Sequence, residues 1–487
     1  MSQVAISLPQ RQGFLLDGAW LTEGSPFTIT SSYDGSVAGA TFRPTAAHLE
    51  AAIQAAARSF ATTRKLPAYE RQRMLREIAA SITENRETLA RTIALEATKP
   101  IKTARQEVER ATLTFNVAAE ESVRIHGEWL PLDLIPSAAG RWGMVRRFPL
   151  GPIAAISPFN FPLNLVAHKW APAIAAGCPI VHKPASQTPL SSLLLARLVE
   201  KAGWPAGALN VLPLAGRDAD ALVTDDRLKL LTFTGSPAVG WELKRRSGKK
   251  RVTLELGGNA GVIIHHDADL EFAAERCVAG GFAYAGQSCI SVQRIFIHHN
   301  VFDKFTQIFV PKVQKLRVGD PLNEATDVSA MISAQEAARA ESWIQEAVTT
   351  GAQILCGGKR LPAPHDAVLE PTVISGAAGG LRVNCQEIFA PVVTLQPYED
   401  FRDAVRQVNQ SDFGLQAGLF TRDTGMLFYA YEELEVGGVV AGDVPTFRVD
   451  HMPYGGVKDS GMGREGLRYA IEEMTEMKLL VMNPPSA

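Results

Sequence analysis

The sequence predicts an α/β protein built on parallel sheets with crossover helices, divided into more than one domain. Three observations carry this. From Arg147 onward short apolar runs alternate with helical stretches, the pattern of strand–helix–strand units. Before that, residues 45–122 keep apolar positions at helical spacing. The chain also has 487 residues, too many for one compact core and suited to two or three domains.

Taken in order, LEAAIQAAARSF and RQRMLREIAASITENRETLARTIALEA read as amphipathic helices. His126 to Arg147 reads as more extended. GPIAAIS, CPIVHKP, ALNVLPL, KLLTFTG and RVTLELGG then read as strands, with NLVAHKWAPAIAAG and PLSSLLLARLVEKAG as helices between the first three. A parallel sheet of this kind binds ligands at the carboxyl ends of its strands. A second alternating region runs from about Ala260 to about Val449, with RIFIHH, PTVIS and VVTLQPY as strands. The terminal KLLVMN reads as a strand without a nearby partner, so its edge calls for cover from another subunit.

Composition narrows the function classes. Hydrophobic residues make up 46% and charged residues 21%, with a net charge of −2. This is an ordinary globular profile with no bias toward nucleic acid or an anionic membrane. No apolar run approaches the roughly 20 residues a spanning helix needs, and MSQVAISLPQRQ lacks the features of a signal peptide. Five cysteines, widely spaced and without CxxC pairs, argue against a disulfide framework or a zinc site. The expectation is a cytoplasmic enzyme with a reduced thiol and no metal.

Cys289, in AGQSCISVQR, lies among small residues that leave it accessible. A thiolate is the strongest nucleophile a protein offers near neutral pH, although a lone cysteine is most often a core residue. Its companions distinguish it. Glu255 stands 34 residues earlier at the end of an apolar run, before Gly257-Gly258. A carboxylate there is a candidate general base. Asn160, between the prolines of SPFNFP, is a candidate donor to an oxyanion. Gly235-Ser236 separates a strand from a helix, the setting in which free helix N–H groups meet phosphate. Lys183 ends another strand and suits a ribose hydroxyl or a phosphate.

Together these segments resemble the aldehyde dehydrogenase superfamily. SPFNFP, HKPASQTP, FTGS, LELGGN, GQSC, EIFAP and MPYGGVKDSGMGREG occur in that family's order and spacing, across about residues 15 to 480. The resemblance implies that Cys289 attacks an aldehyde. Asn160 and the Cys289 N–H hold the oxyanion, hydride leaves for a nicotinamide, and Glu255 activates the water that hydrolyses the thioester. It also implies that Lys183 and Ser186 bind the adenosine ribose and Gly235 and Ser236 the pyrophosphate. Glu387 would bind the nicotinamide ribose, with Phe389 beside it. The implied fold has a Rossmann-type cofactor domain of 1–122 and 147–258 and an α/β catalytic domain of 259–450. A small β oligomerisation element joins 123–146 with 451–487. A homodimer or homotetramer is expected.

NAD-preferring members of the family often carry an acid three residues after the lysine, where this chain has Ser186. A carboxylate there would repel a 2′-phosphate, so NADP is expected to be accepted, alone or beside NAD. The contexts CISVQR and VPTFRVDHMPYGG resemble the lactaldehyde, semialdehyde and phosphonoacetaldehyde dehydrogenase-like branch. They imply a short polar or anionic aldehyde. Arg105 and Arg448 are candidates for its anionic group, since guanidinium matches carboxylate or phosphate, with Phe161 and Ser288 flanking the site. Two alternatives stand beside this reading: a CoA-acylating semialdehyde dehydrogenase and a non-catalytic binding protein on the same scaffold. Intact Glu255 favours hydrolysis, and keeping Cys289, Glu255 and Asn160 together favours catalysis.

Three patterns are set aside. GMGREG matches GxGxxG, but only 21 residues follow Gly466, too few for a βαβ unit; it reads as a turn before a last helix. His265, His266, Asp267 and Asp269 lack metal-ligand spacing and read as a solvated loop. Arg245, Arg246, Lys249, Lys250 and Arg251 read as a solvated basic face.

Overall fold

The computed structural model describes residues 11–483; the amino-terminal start read above for a signal peptide falls largely outside them. An eight-stranded sheet carries the first part of the chain. Its five central strands are parallel, in the order Leu209–Val211, Ile180–Lys183, Ile153–Ile156, Leu230–Thr234 and Arg251–Glu255. The chain builds outward on one side from Ile153–Ile156, then returns to add Leu230–Thr234 on the other. The order therefore reverses between these two strands, and a crevice opens at their carboxyl ends. The helix Asn164–Ala176 is buried along its whole length, packed against the helix Ile101–Ser122. Four helices between Ala46 and Ser122 supply much of this core.

Two features of this region were not read from the sequence: the hairpin of Ser25–Thr30 with Val37–Arg43, and the short pair Phe14–Leu16 and Ala19–Leu21 that extends the sheet edge. Their strands are short or mostly exposed, so they lack an apolar signature.

A seven-stranded sheet begins at Ala260. Val292–His298 lies at its centre, between Ala260–Ile264 and Val392–Tyr398, all parallel. Separate apolar clusters cover the sheet, one formed largely by the helices Leu270–Phe282, His299–Gln314 and Ala334–Thr349, the other by Phe401–Asn409 and Thr424–Glu433.

The terminal strand Thr475–Met482, which has no partner nearby in sequence, finds one far back in the chain. It pairs antiparallel with Trp142–Pro149, which pairs with Glu128–Pro131. One edge of Thr475–Met482 stays open, and Met477, Leu479, Leu480 and Val481 are exposed. The division at 451 is corrected. Gly461–Met462 pairs with Leu254–Glu255, and the helix Leu467–Glu473 packs on Asn164–Ala176. Residues 461–473 thus join the first sheet, because their strand satisfies its open edge beside Glu255. GMGREG forms that strand and the turn before the helix.

The histidine region is a loop with His266 and Asp269 exposed, but one of its side chains turns inward. His265 is buried, its Nδ1 lies 2.8 Å from the Tyr398 hydroxyl, and its ring packs on His266 and His298. In the basic run, Arg245, Arg246 and Arg251 pair with Glu242, Asp220 and Glu476. Among the described residues no helix is long and apolar enough to cross a membrane.

Candidate active site

A cavity of about 320 Å³ opens at the strand-order reversal. Asn160 follows Ile153–Ile156, Gly235 and Ser236 follow Leu230–Thr234, and Glu255 ends Arg251–Glu255. Cys289 reaches the same cavity from the loop before Val292–His298. Phe161, Ser288, Glu387, Phe389 and Arg448 line it too. Lys183 and Ser186 lie outside this lining, at the end of and just beyond the strand Ile180–Lys183. Arg105 is not brought to the cavity. Its guanidinium is held at the surface by Glu87 and Glu324, and those two carboxylates leave it no role toward a ligand there.

The Cys289 loop is held tightly. Tyr284 and Ala285 take left-handed backbone conformations, which non-glycine residues adopt only when their surroundings enforce them. The Tyr284 hydroxyl donates to Ala97 O at 2.8 Å. A Cβ at Gly258 would overlap the Cys289 carbonyl oxygen, and one at Gly257 would overlap the Glu387 carboxylate. Only glycine lets these backbones approach so closely.

Cys289 is half-buried, with its Sγ 3.0 Å from the Tyr454 hydroxyl. Burial pushes its thiol up to about 12, with Glu387 and Glu255 adding to the shift while Tyr454 and Arg448 oppose it. The Cys289 N–H donates to no protein group among the described residues. One N–H of the Asn160 amide goes to Gln287 O at 3.1 Å, which leaves its second N–H for a ligand. Beneath Asn160, the buried Lys99–Glu107 pair clamps the turn. Lys99 Nζ donates to Asn160 O at 2.7 Å, and Glu107 accepts from Leu163 N and Asn164 N.

Both Glu255 oxygens are buried without a hydrogen-bond partner among the described residues. Burial raises its pKa well above the ordinary carboxylate range, and the neighbouring Glu465 raises it further against Arg448 and Lys169. Burial would raise Glu465 as well, but His168, Arg448 and Lys169 outweigh it and hold Glu465 low. The two carboxylates thus divide their roles, one charged and one readily protonated. Lys169 donates to Thr232 and Thr234 at 3.0 and 2.7 Å and lies 3.8 Å from Glu465.

At the other wall, Arg448 pairs with Glu465 at 2.9 Å and lies 3.7 Å over the Tyr454 ring. Arg110 also lines the cavity and pairs with Asp450 at 2.7 Å. Burial would raise Asp450, but His168 and Arg110 hold it well below the carboxylate range. The sequence reading missed Arg110, Tyr454, Lys169, Glu465 and the Lys99–Glu107 pair. Tyr454 and Glu465 stand inside MPYGGVKDSGMGREG, so their motif was visible while their direction was not. Arg110 lies on the buried face of its helix, beside Glu107, Ala111 and Thr114.

The cofactor side has matching features. Ser236 precedes the helix Pro237–Arg246 without a side-chain cap, so the first N–H groups stay available for phosphate. Lys183 Nζ donates to Pro184 O at 3.1 Å, and burial pulls its pKa down to about 8. Glu387 accepts from Gly258 N at 2.9 Å, and burial pushes it up to about 7.

Residues 20–480 match the aldehyde dehydrogenase family. The chain belongs to this family. It is 42% identical to a 3-sulfolactaldehyde dehydrogenase of Priestia aryabhattai, covering 97% of this chain and 98% of that one. Among solved structures it is similar to aldehyde dehydrogenase 21 from Physcomitrella patens in complex with the reaction product succinate. That match has 45% identity and a TM-score of 0.95, covering 98% and 99% of the two chains. A glyceraldehyde-3-phosphate dehydrogenase from Methanocaldococcus jannaschii complexed with NADP is 38% identical, with a TM-score of 0.90 and coverage of 95% and 100%. Membership in the aldehyde dehydrogenase family agrees with the α/β architecture of two parallel-sheet domains.

Proposed function

We propose that this aldehyde dehydrogenase oxidises a short anionic aldehyde to the carboxylic acid with NAD or NADP. One observation carries the reading: Cys289, Asn160 and Glu255 share a cavity with Arg110 and Arg448, while the third lining arginine, Arg339, pairs with Glu336. One named relative is a 3-sulfolactaldehyde dehydrogenase and another was solved with the product succinate, in keeping with an anionic substrate.

The steps follow from the side chains. Cys289 loses its proton to solvent water, and the resulting thiolate Sγ bonds to the aldehyde carbon. The carbonyl electron pair moves to oxygen, where the Asn160 amide and the Cys289 N–H donate to it. The nicotinamide of the bound cofactor provides the hydride acceptor. Loss of hydride from carbon restores the carbonyl and leaves a thioester on Sγ. Glu255 then takes a proton from water, whose oxygen displaces Sγ and releases the acid. Gly235 and Ser236 would hold the pyrophosphate, Lys183 and Ser186 the adenosine ribose, and Glu387 the nicotinamide ribose beside Phe389. Arg110 and Arg448 would hold the anionic end of the substrate. Ser186 offers no charge against a 2′-phosphate, so NADP is accepted.

A panel of succinic semialdehyde, lactaldehyde and a plain alkanal, each with NAD and with NADP, tests this. The anionic aldehyde should have the highest kcat/KM. A wide margin for the alkanal overturns the substrate reading, and activity with NAD alone overturns the cofactor reading. Product that forms only when CoA is present would favour the CoA-acylating alternative.

The chain assembles as a homodimer or homotetramer in this reading. The open edge and exposed apolar side chains of Thr475–Met482 support it, as does the edge strand Gly438–Ala441 of the second sheet. Light scattering should give a mass of two or four chains, and a purely monomeric mass refutes it.

A further inference from the structure

We propose that Tyr454 is a further catalytic residue, whose hydroxyl donates a hydrogen bond to Cys289 Sγ as the thiolate forms. The proposal rests on the reading of Cys289 as nucleophile. The Tyr454 hydroxyl lies 3.0 Å from Sγ, and this is the protein hydrogen bond that the sulfur makes. Tyr454 is 3% exposed, so the contact is shielded from competing water.

Its geometry is fixed from both sides. Tyr454 and Glu465 exchange backbone hydrogen bonds, Tyr454 N to Glu465 O at 3.1 Å and Glu465 N to Tyr454 O at 2.7 Å. The Arg448 guanidinium lies 3.7 Å over the ring and is itself tied to Glu465 at 2.9 Å. A cation on the ring face withdraws electron density and makes the phenol a better donor. The same arginine faces the cavity, so one side chain touches both the proposed substrate anion and the group that holds the sulfur.

With a neutral thiol either atom donates. Once the thiol proton has gone to base, sulfur can only accept, and the Tyr454 O–H must be the donor. When the S–C bond forms, the sulfur lone pair becomes the bond and the charge moves to the former carbonyl oxygen. Tyr454 keeps its proton throughout. The surroundings give the role weight, because burial and the carboxylates of Glu387 and Glu255 disfavour the thiolate, while Tyr454 and Arg448 favour it.

The test is the rate of Cys289 alkylation by iodoacetamide in enzyme bound to NADP, followed by mass spectrometry of the Cys289 peptide from about pH 7 to about pH 10. Tyr454→Phe keeps the ring under Arg448 and removes only the hydroxyl. A hydrogen bond to a charged group shifts an ionisation by about 1–2 pH units. The higher intrinsic nucleophilicity of a more basic thiolate offsets about half of that. The net expectation is an alkylation rate roughly 3- to 10-fold lower at each pH, with NADP affinity unchanged. An unchanged rate overturns the proposal. A faster rate also overturns it, since the hydroxyl would then restrain the sulfur in a resting pose. If Tyr454→Phe does not fold, a fluorinated tyrosine placed at position 454 gives the converse reading: the stronger donor should speed alkylation, and no change overturns the role. Cys289→Ala separates the two levels of inference. Full activity in that variant defeats the nucleophile itself, whereas normal alkylation in Tyr454→Phe defeats only the tyrosine.

Discussion

Replacing Glu255 with Gln separates the two halves of the proposed reaction. The side chain keeps its shape in a buried site, and neither carboxylate oxygen has a hydrogen-bond partner to lose. The fold should therefore tolerate the amide. Acylation of Cys289 does not need water, so hydride transfer should still occur once per site. Hydrolysis does need a base, and a positioned general base contributes about 10²–10⁴ in rate. That range corresponds to a deacylation barrier higher by about 3–5 kcal/mol. Arg448 cannot replace the base, because a guanidinium stays charged, and Lys169 is already turned to Thr232 and Thr234. Rapid mixing with an anionic aldehyde and NADP should show a burst of reduced cofactor approaching one equivalent per site, then turnover slowed by that factor. Mass spectrometry should find the acyl group on the Cys289 peptide. Steady-state turnover within a few-fold of wild type would refute the assignment, and so would a loss of the burst itself in a folded, cofactor-binding variant.

Three further outcomes follow from the same geometry. Arg110→Met should lower kcat/KM for an anionic aldehyde by roughly 10- to 100-fold, the worth of a charge-assisted hydrogen bond, while a neutral alkanal changes little; equal losses for both would remove Arg110 from substrate recognition. Ser186→Glu should shift the NADP-to-NAD ratio of kcat/KM toward NAD by about tenfold or more, through like-charge repulsion at a partly exposed site, and an unchanged ratio would place the 2′-phosphate elsewhere. Activity should rise with pH, because burial raises Glu255 and Cys289 and both act deprotonated; stopped-flow rates that fall from about pH 6 to about pH 9 would contradict that sign.

Much of this site was legible because its chemistry is local to motifs. Asn160, Glu255 and Gly235-Ser236 each stand at the end of an apolar run, and strand ends in a parallel sheet converge at the order reversal. Cys289 depends on a long-range approach, yet Gly257-Gly258 already marked where two backbones must come close. What stayed hidden depended on direction. Arg105 and Arg110 share one helix, five residues apart, and five residues rotate a side chain by about 140°. One therefore meets Glu87 and Glu324 at the surface while the other enters the cavity. The pairing of the terminal strand is hidden because its mate, Trp142–Pro149, lies more than 300 residues earlier. Nothing in local periodicity reports such a pairing. The Lys99–Glu107 clamp was invisible for a related reason: two charged residues on a helical stretch read as solvent-facing until a third element covers them.

The buried charges around the cavity form a connected set, and their order suggests why the carboxylates behave differently. Arg110 holds Asp450, Asp450 accepts from His168 at 2.8 Å, and Arg448 lies between His168 and Glu465. Burying ions costs several kcal/mol each unless they are paired, and here each of Asp450 and Glu465 has a cationic partner. Glu255 has none in hydrogen-bond contact among the described residues, so its charge is the least compensated of the three. That makes Glu255 the site where a proton is most easily held and released, as a base for water requires. An anionic substrate adds a further negative charge beside Arg448 and would draw on the same cation that steadies Glu465. In the proposed reaction Arg448 would both hold the substrate and set the electrostatic environment of Glu255, so exchanging Arg448 should disturb hydrolysis as well as binding, whereas Arg110, separated from Glu255 by Asp450 and His168, should affect binding alone.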